Sequence, residues 1–196
     1  MNFKKTALLA LTLTCLLLAL TGCGTKEPPA GEEETSAAGD AAQQTGPFTE
    51  MDTVDLDGNK MDSSVFAEKT LTLVNVWNLG CTPCVQEIPH LDKLNKDLAD
   101  RGVAVKGLYY NFGEALSDAD RTDIEALFAE TGADYPQLLA SETMMASDEL
   151  SQIQAFPTTF FVDGEGNIVE TVEGSHDYDG WLSIIESVLE SVEADA

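Results

Sequence analysis

The chain has 196 residues, of which 10 are basic and 35 acidic, and its formal net charge is −25 at neutral pH. Hydrophobic residues make up 43% of it, which is enough for a packed core, and the length suits one domain with a segment to spare. Nucleic-acid binding needs a basic surface that neutralises phosphates, so this charge argues against a nucleic-acid partner. Four cysteines are too few for a small domain held together by disulfides alone.

The first 22 residues have the organisation of an export signal. Two lysines precede an uncharged, leucine-rich run over 6–20, which is shorter than the roughly 20 residues of a membrane-spanning helix. The run ends in Leu-Thr-Gly-Cys at 20–23, which resembles the lipobox of bacterial lipoprotein precursors. The resemblance implies cleavage after residue 22, lipidation of Cys23, and a lipid-anchored protein on the extracytoplasmic face of the membrane in a bacterial cell envelope. A plain signal peptide and an uncleaved anchor are the alternatives.

Two further segments follow the predicted signal peptide. Residues 23–46 comprise the lipidated N-terminus and an acidic tether without large apolar residues, a composition typical of disorder. Residues 47–196 form one predicted domain. In chain order its predicted elements are a strand-turn-strand lead-in over 48–66, a strand over 70–77, a helix from 84 to 102, a strand over 103–110, a helix over 118–131, a strand over 135–139, a helix over 147–155, strands over 158–162 and 167–172, and a helix over 178–192. The alternation predicts an α/β fold with a central mixed sheet flanked by helices.

Cys81 and Cys84 form a Cys-x-x-Cys motif between a predicted strand and a predicted helix. This spacing places both sulfurs on one face of a helix, within disulfide reach. The first cysteine lies at the helix N-terminus, where unpaired N–H groups and the helix dipole favour the nucleophilic thiolate. Pro83 suits the first turn, where its missing N–H costs nothing. The pattern favours redox chemistry at this pair.

Two other interpretations of the motif are a structural disulfide and half of a zinc site. Zinc takes about four ligands, yet the chain has only two histidines, His90 and His176, and neither has a paired ligand spacing. A disulfide between residues three apart constrains the unfolded chain little. We therefore expect neither a metal nor another cofactor.

Residues 48–192 resemble the thioredoxin-like fold of the extracytoplasmic TlpA/ResA-type thiol-disulfide oxidoreductases, in lipoprotein form. The features that carry the resemblance are Asn75-Val76-Trp77 before the motif, Glu87 and Pro89 after it, Phe156-Pro157-Thr158-Thr159-Phe160, Gly174 and the inserted helix and strand over 118–139. The fold that it implies has an N-terminal β-hairpin before the central sheet. Two positions depart from the pattern. Gly80 stands where the family usually has tryptophan, and Asn75 stands where thioredoxin has a buried aspartate.

The resemblance implies a membrane-tethered enzyme that reduces disulfides of exported proteins, with cytochrome maturation among the processes that it would serve. Its partners would be disulfide-containing exported proteins and an integral membrane thiol electron donor, and the chain is expected to be a monomer. The main alternative is a metal-handling or metallochaperone lipoprotein on the same fold, which would need a longer cysteine spacing and a nearby ligand histidine. A peroxidase and a redox-inert binding domain fit the motif less well.

The resemblance also assigns roles to the residues around the motif. Cys81, at the helix tip, would be the attacking thiolate, and Cys84, one turn inside, the resolving thiol. Glu87 would move protons to and from the pair, or else it is an ordinary carboxylate of the kind that helix starts favour.

The loop around residue 157 is the predicted substrate-binding part of the site. The Phe156–Pro157 bond would be cis, would pack against the disulfide and would offer its backbone to the substrate. Phe156, Thr158 and Trp77 are the predicted substrate-binding residues, although Trp77 is better explained as the floor of the site.

Overall fold

The structure is a computed structural model that describes residues 46–194. The predicted signal peptide over 1–22, the predicted lipidation site Cys23 and nearly all of the predicted tether lie outside the described residues. The division into segments 1–22, 23–46 and 47–196 therefore stays a prediction.

The described residues alternate between strands and helices, as predicted. In chain order they form β1 (Asp52–Val54), β2 (Lys60–Asp62), β3 (Leu71–Trp77), α1 (Thr82–Asp97), β4 (Val103–Tyr109), α2 (Asp118–Thr131), β5 (Gln137–Leu139), α3 (Glu142–Met145), α4 (Asp148–Ser151), β6 (Thr158–Val162), β7 (Ile168–Glu173) and α5 (Tyr178–Ala194), with short 3-10 helices at Ser63–Val65 and Ala99–Arg101.

The main sheet has the strand order β5-β4-β3-β6-β7. Strand β3 is parallel to β4 and antiparallel to β6, so the sheet is mixed. Strands β1 and β2 form a separate antiparallel pair, which is the predicted N-terminal hairpin. The predicted fold class is confirmed: a mixed sheet flanked by helices, with the inserted α2 and β5 at one edge.

Strand β3 lies at the centre of the sheet, and all seven of its residues are buried. Side chains alternate between the two faces of a strand, so a strand covered on both faces is apolar almost throughout. On one face, Leu73 and Trp77 belong to a cluster with Ile88 of α1 and Trp181 of α5. On the other face, Val74 and Val76 belong to a second cluster, which includes Phe48, Met51, Phe66, Met144 and Leu150.

Two helix boundaries differ from the sequence-based expectation. Helix α1 ends at Asp97, and a 3-10 turn leads to Gly102, whose φ of 74° is left-handed and whose added Cβ would lie 2.7 Å from Oγ1 of Thr70. The helix predicted over 147–155 is shorter and is preceded by α3. Serine side chains cap both short helices, because Ser141 and Ser147 accept hydrogen bonds from the first turn that follows them.

Candidate active site

The site is built where β3 ends and α1 begins. Cys81 and Cys84 are joined by a disulfide, and their Cα atoms are 5.3 Å apart. Cys81 is the N-cap of α1, and its Sγ accepts a hydrogen bond from the Cys84 N–H at 3.2 Å. This N–H would also donate to a thiolate on Cys81, so the local backbone favours the charged form of that sulfur.

The two sulfurs differ in their access to solvent. Cys81 is 9% exposed, whereas Cys84 is completely buried. Cys81 is therefore the less enclosed of the two residues. The exposure agrees with the predicted order of attack, which itself stays a prediction.

Glu87 lies inside the protein, one helical turn after Cys84, and is 1% exposed. Its Oε1 accepts a hydrogen bond from Asn75 Nδ2 at 2.9 Å. Its Oε2 accepts from Trp181 Nε1 at 3.1 Å and from the His176 N–H at 3.3 Å. Three separate parts of the chain thus hold this carboxylate, which makes it unlike an ordinary helix-start carboxylate in solvent.

Burial changes the acidity of Glu87. Removal from water disfavours the charged carboxylate and raises its pKa to about 7, although hydrogen bonds from Asn75, Trp181 and His176 act in the opposite direction. Glu87 therefore exchanges its proton near neutral pH. A group with this property, one turn from the cysteine pair, can hold or release a proton during thiol chemistry.

Asn75, Trp181 and His176 complete the environment of Glu87, and sequence reasoning assigned none of them this role. Asn75 Nδ2 also donates to Oγ1 of Thr159 at 2.9 Å, while the His176 ring packs on Trp181 with centroids 4.9 Å apart. Trp181 could have been singled out as a buried position of an amphipathic helix, but no local pattern links it to a glutamate 94 residues earlier.

The loop before β6 lies next to the disulfide-bearing turn because β6 pairs with β3. The Phe156–Pro157 peptide bond is cis, as predicted. The Pro157 carbonyl accepts from the Gly174 N–H at 2.9 Å, which fastens the loop to the end of β7. Phe156 is half-buried and Pro157 buried.

Residues 37–189 match the family model Redoxin. The chain belongs to the Redoxin family. Thiol-disulfide oxidoreductase ResA of Bacillus thuringiensis subsp. konkukian is 27% identical over 120 residues, a match that spans 61% of this chain and 64% of that protein. ResA of Bacillus subtilis is 26% identical over 155 residues, or 76% of this chain and 77% of that protein. These relatives confirm the predicted resemblance to ResA-type proteins, and the match spans slightly less than two thirds of the first of them.

A solved structure supports the fold of this Redoxin chain. The thiol:disulfide interchange protein of the thioredoxin family from Chlorobium tepidum TLS is 24% identical, with a TM-score of 0.58, and the match covers 70% of this chain and 92% of that one.

Two of the predicted substrate-binding residues in the Redoxin domain are enclosed. Trp77 is 1% exposed, and its Nε1 donates to Gln137 Oε1 at 2.9 Å. Thr158 is 3% exposed, and its hydroxyl donates to the Ala155 carbonyl at 2.9 Å. Their assignment as direct substrate contacts is therefore corrected: Trp77 forms the floor of the site, and the Thr158 side chain shapes the loop. Phe156 is half-buried and stays a predicted substrate-binding residue.

Three aromatic rings beside the redox turn of the Redoxin domain form a group that the sequence did not predict. Tyr110, Phe112 and Phe156 contact one another, with centroid separations of 5.4 to 5.7 Å, and we call them the aromatic surface. The sequence assigns Tyr110 only to the end of a strand. No sequence pattern brings Phe156 to the other two, because the contact depends on the pairing of β3 with both β4 and β6.

The described part of this Redoxin domain shows neither a cluster of metal ligands nor a membrane-spanning helix. Over 46–194, no group of three or more His, Cys, Asp or Glu side chains is arranged to hold a metal ion. No helix within the same range has the length and apolarity needed to cross a membrane.

Proposed function

We propose that this protein is a thiol-disulfide oxidoreductase that reduces disulfides of exported proteins and is tethered to the extracytoplasmic face of the membrane through Cys23. The observation that carries the activity is the Cys81–Cys84 disulfide at the N-terminus of α1, in which Cys81 keeps a small exposed fraction and Cys84 is completely buried. The names of the ResA relatives and the buried acid one turn further along α1 support it.

The reaction begins with the reduced pair. The Cys81 thiolate attacks one sulfur of a substrate disulfide, forms a mixed disulfide, and releases the other substrate sulfur, which takes up a proton. The Cys84 thiol then loses its proton and attacks Cys81 Sγ, which frees the second substrate thiol. Two electrons pass from the cysteine pair to the substrate, and both released substrate sulfurs take up their protons from water. A membrane thiol donor then restores the reduced pair.

Glu87 is the proton acceptor in the second step, in which Cys84 attacks Cys81. Cys84 is enclosed, so the proton that it loses cannot pass directly to bulk water. An ionised Glu87 can accept it, and the donors from Asn75 and Trp181 stabilise the ionised form until the step occurs. Because its pKa is about 7, the same group can return the proton when the pair is reduced again.

Insulin reduction tests the activity. In the presence of dithiothreitol, the protein is expected to accelerate precipitation of the reduced insulin chains, and thiol counting should find two additional thiols after reduction of the domain. A variant with both Cys81 and Cys84 replaced by serine is the control. No acceleration over that control would contradict the proposal.

The reduction potential is expected to be about −250 mV, near the thioredoxin value of about −270 mV. No Lys or Arg occurs from 71 to 92, and Glu87 is the ionisable group held nearest along α1. Both features disfavour the thiolate, and a less stable thiolate makes the pair more reducing. Equilibration with a glutathione or dithiothreitol buffer measures the potential, and a value above roughly −180 mV, the isomerase range, would require an oxidase or isomerase function instead.

Membrane attachment through Cys23 rests on the Leu-Thr-Gly-Cys sequence at 20–23. Cys23→Ala is expected to block lipidation and maturation, so the variant should accumulate as the unprocessed precursor. Gel mobility, labelling with a radioactive fatty acid and membrane fractionation measure this. Cys15→Ala, within the leader, is the matched control. A Cys23→Ala variant of mature size that still fractionates with membranes would refute the lipid anchor.

A further inference from the structure

In the aromatic surface, each of the three rings contacts the other two. Tyr110 and Phe112 meet edge to face at 5.4 Å, Tyr110 and Phe156 lie 5.6 Å apart, and Phe112 and Phe156 lie 5.7 Å apart. Each pair lies in the range of favourable aromatic contacts. The rings therefore support one another as a unit and not as three separate side chains.

Phe112 is the outermost ring of this unit. It is 68% exposed, the larger of the two exposed fractions among the large hydrophobic side chains over 46–194. Its φ of 50° is left-handed, a conformation that non-glycine residues with bulky side chains rarely adopt. The chain thus holds an apolar ring at the surface in an unfavourable backbone conformation, which is a feature found at functional sites.

The aromatic surface is attached to the two segments that flank the redox turn. The Tyr110 N–H donates to the Trp77 carbonyl at 2.9 Å, so the loop that carries Phe112 is fastened directly to the end of β3. On the other side, Phe156 is bonded to Pro157 of the cis peptide. The rings are thus carried by two segments that flank the redox turn.

The segments around the site are rich in acids and lack basic residues. No Lys or Arg occurs over 71–92, 107–120 or 122–196. Exposed acids are present in the same segments: Glu114 follows Phe112 by two residues, and Glu173 pairs with Thr158 at the end of β7. Such a field attracts a positively charged partner and repels an acidic one.

We propose that the aromatic surface binds an apolar side chain next to the cysteine of a positively charged substrate polypeptide, and that it thereby determines which disulfides are reduced. This inference rests on the proposed function. The chemistry is the exchange already described, in which Cys81 attacks and Cys84 resolves. The new elements are the binding surface, its principal residue Phe112, and the class of substrate.

The test uses the full-length chain and four synthetic peptide disulfides that differ at two positions. The residue beside the cysteine is leucine or glycine, and the flanking residues are lysines or glutamates. We expect kcat/KM to be about tenfold higher for leucine than for glycine, since burial of one apolar side chain in a pocket discriminates by about that factor. We expect lysine peptides to react about tenfold faster than glutamate peptides at low salt, and this ratio to fall as salt is added.

Phe112→Asn removes the ring while suiting the left-handed conformation, because asparagine tolerates it. The leucine-to-glycine ratio should then fall to about twofold or less, while the lysine-to-glutamate ratio persists. Val169→Asn is the matched control, since Val169 is the other exposed large hydrophobic residue over 46–194, is 40% exposed, and lies toward the far end of β7. The Val169→Asn variant should have the same leucine-to-glycine and lysine-to-glutamate ratios of kcat/KM as the wild type.

Each outcome has a distinct meaning. Equal rates for the leucine and glycine peptides in the wild type, or an unchanged ratio in a folded Phe112→Asn variant, would overturn the inference while leaving the oxidoreductase function intact. Hydroxyethyl disulfide, which has neither an apolar neighbour nor a charge, reports on the function itself. If the wild type fails to reduce this small disulfide, the proposed function is wrong and the inference fails with it.

Discussion

Replacing Cys84 by serine is expected to trap the protein in mixed disulfides with its substrates. Cys81 remains able to attack, but the thiol that would resolve the mixed disulfide is absent. Turnover should fall by at least about 1,000-fold, as expected when a member of a catalytic pair is removed. Non-reducing gels of cell extracts would show the adducts, and mass spectrometry of the captured proteins would identify the substrates.

Cys81→Ser is the matched variant of this experiment. It should lose turnover to the same extent but form few adducts, because the remaining sulfur of Cys84 is completely buried while Cys81 is 9% exposed. Thiol alkylation of the reduced wild type should likewise label Cys81 before Cys84. Equal trapping by the two variants would mean that both sulfurs reach the substrate, and the assigned order of attack would then be abandoned.

Glu87→Gln is expected to alter how the stability of the domain depends on pH. Burial raises the pKa of Glu87 from 4.5 to about 7 in the folded protein. The folded state thus holds this proton more tightly than the unfolded state does. The resulting stabilisation is complete below pH 4.5 and is lost as pH rises through about 7, and it amounts to about 3 kcal/mol of unfolding free energy in total.

Urea unfolding of the oxidised protein at about pH 5 and about pH 8 measures this effect, since the disulfide-bonded cysteines do not titrate. When the pH is raised from about 5 to about 8, the unfolding free energy of the wild type should fall by about 2.5 kcal/mol more than that of Glu87→Gln. The introduced amide would misplace hydrogen bonds with Asn75 or Trp181, but that cost is the same at both values and cancels from the difference. Glu190→Gln, which replaces an exposed acid of α5, is the control and should follow the wild type.

The reduced form provides a second measurement on Glu87→Gln. Removal of the negative charge should lower the apparent pKa of the Cys81 thiol, as followed by thiolate absorbance or alkylation rate against pH. The pH at which turnover reaches half its maximum should shift as well, because the proton acceptor for Cys84 is gone. An unchanged thiol titration together with an unchanged stability difference would leave Glu87 with a purely structural role.

The redox motif and the fold class followed from the sequence because local rules determine them. The spacing of Cys81 and Cys84 fixes both sulfurs on one helix face, and the apolar run of β3 followed by a periodic helix fixes where that helix begins. Buried strands alternating with amphipathic helices leave few arrangements other than a covered sheet. The cis Phe156–Pro157 bond was anticipated from family resemblance and not from any local rule.

The environment of Glu87 and the aromatic surface were decided only by tertiary structure. In the sequence, Glu87 is simply one acidic residue in a helix. In the folded protein, Asn75, His176 and Trp181 from other elements donate hydrogen bonds to it, and burial raises its pKa to about 7. Burial also turned Trp77 from a candidate substrate contact into the floor of the site. Periodicity and spacing describe neighbours along the chain, whereas desolvation and ring contacts depend on which distant segments meet. A single sequence contains no local pattern that shows which distant segments come into contact.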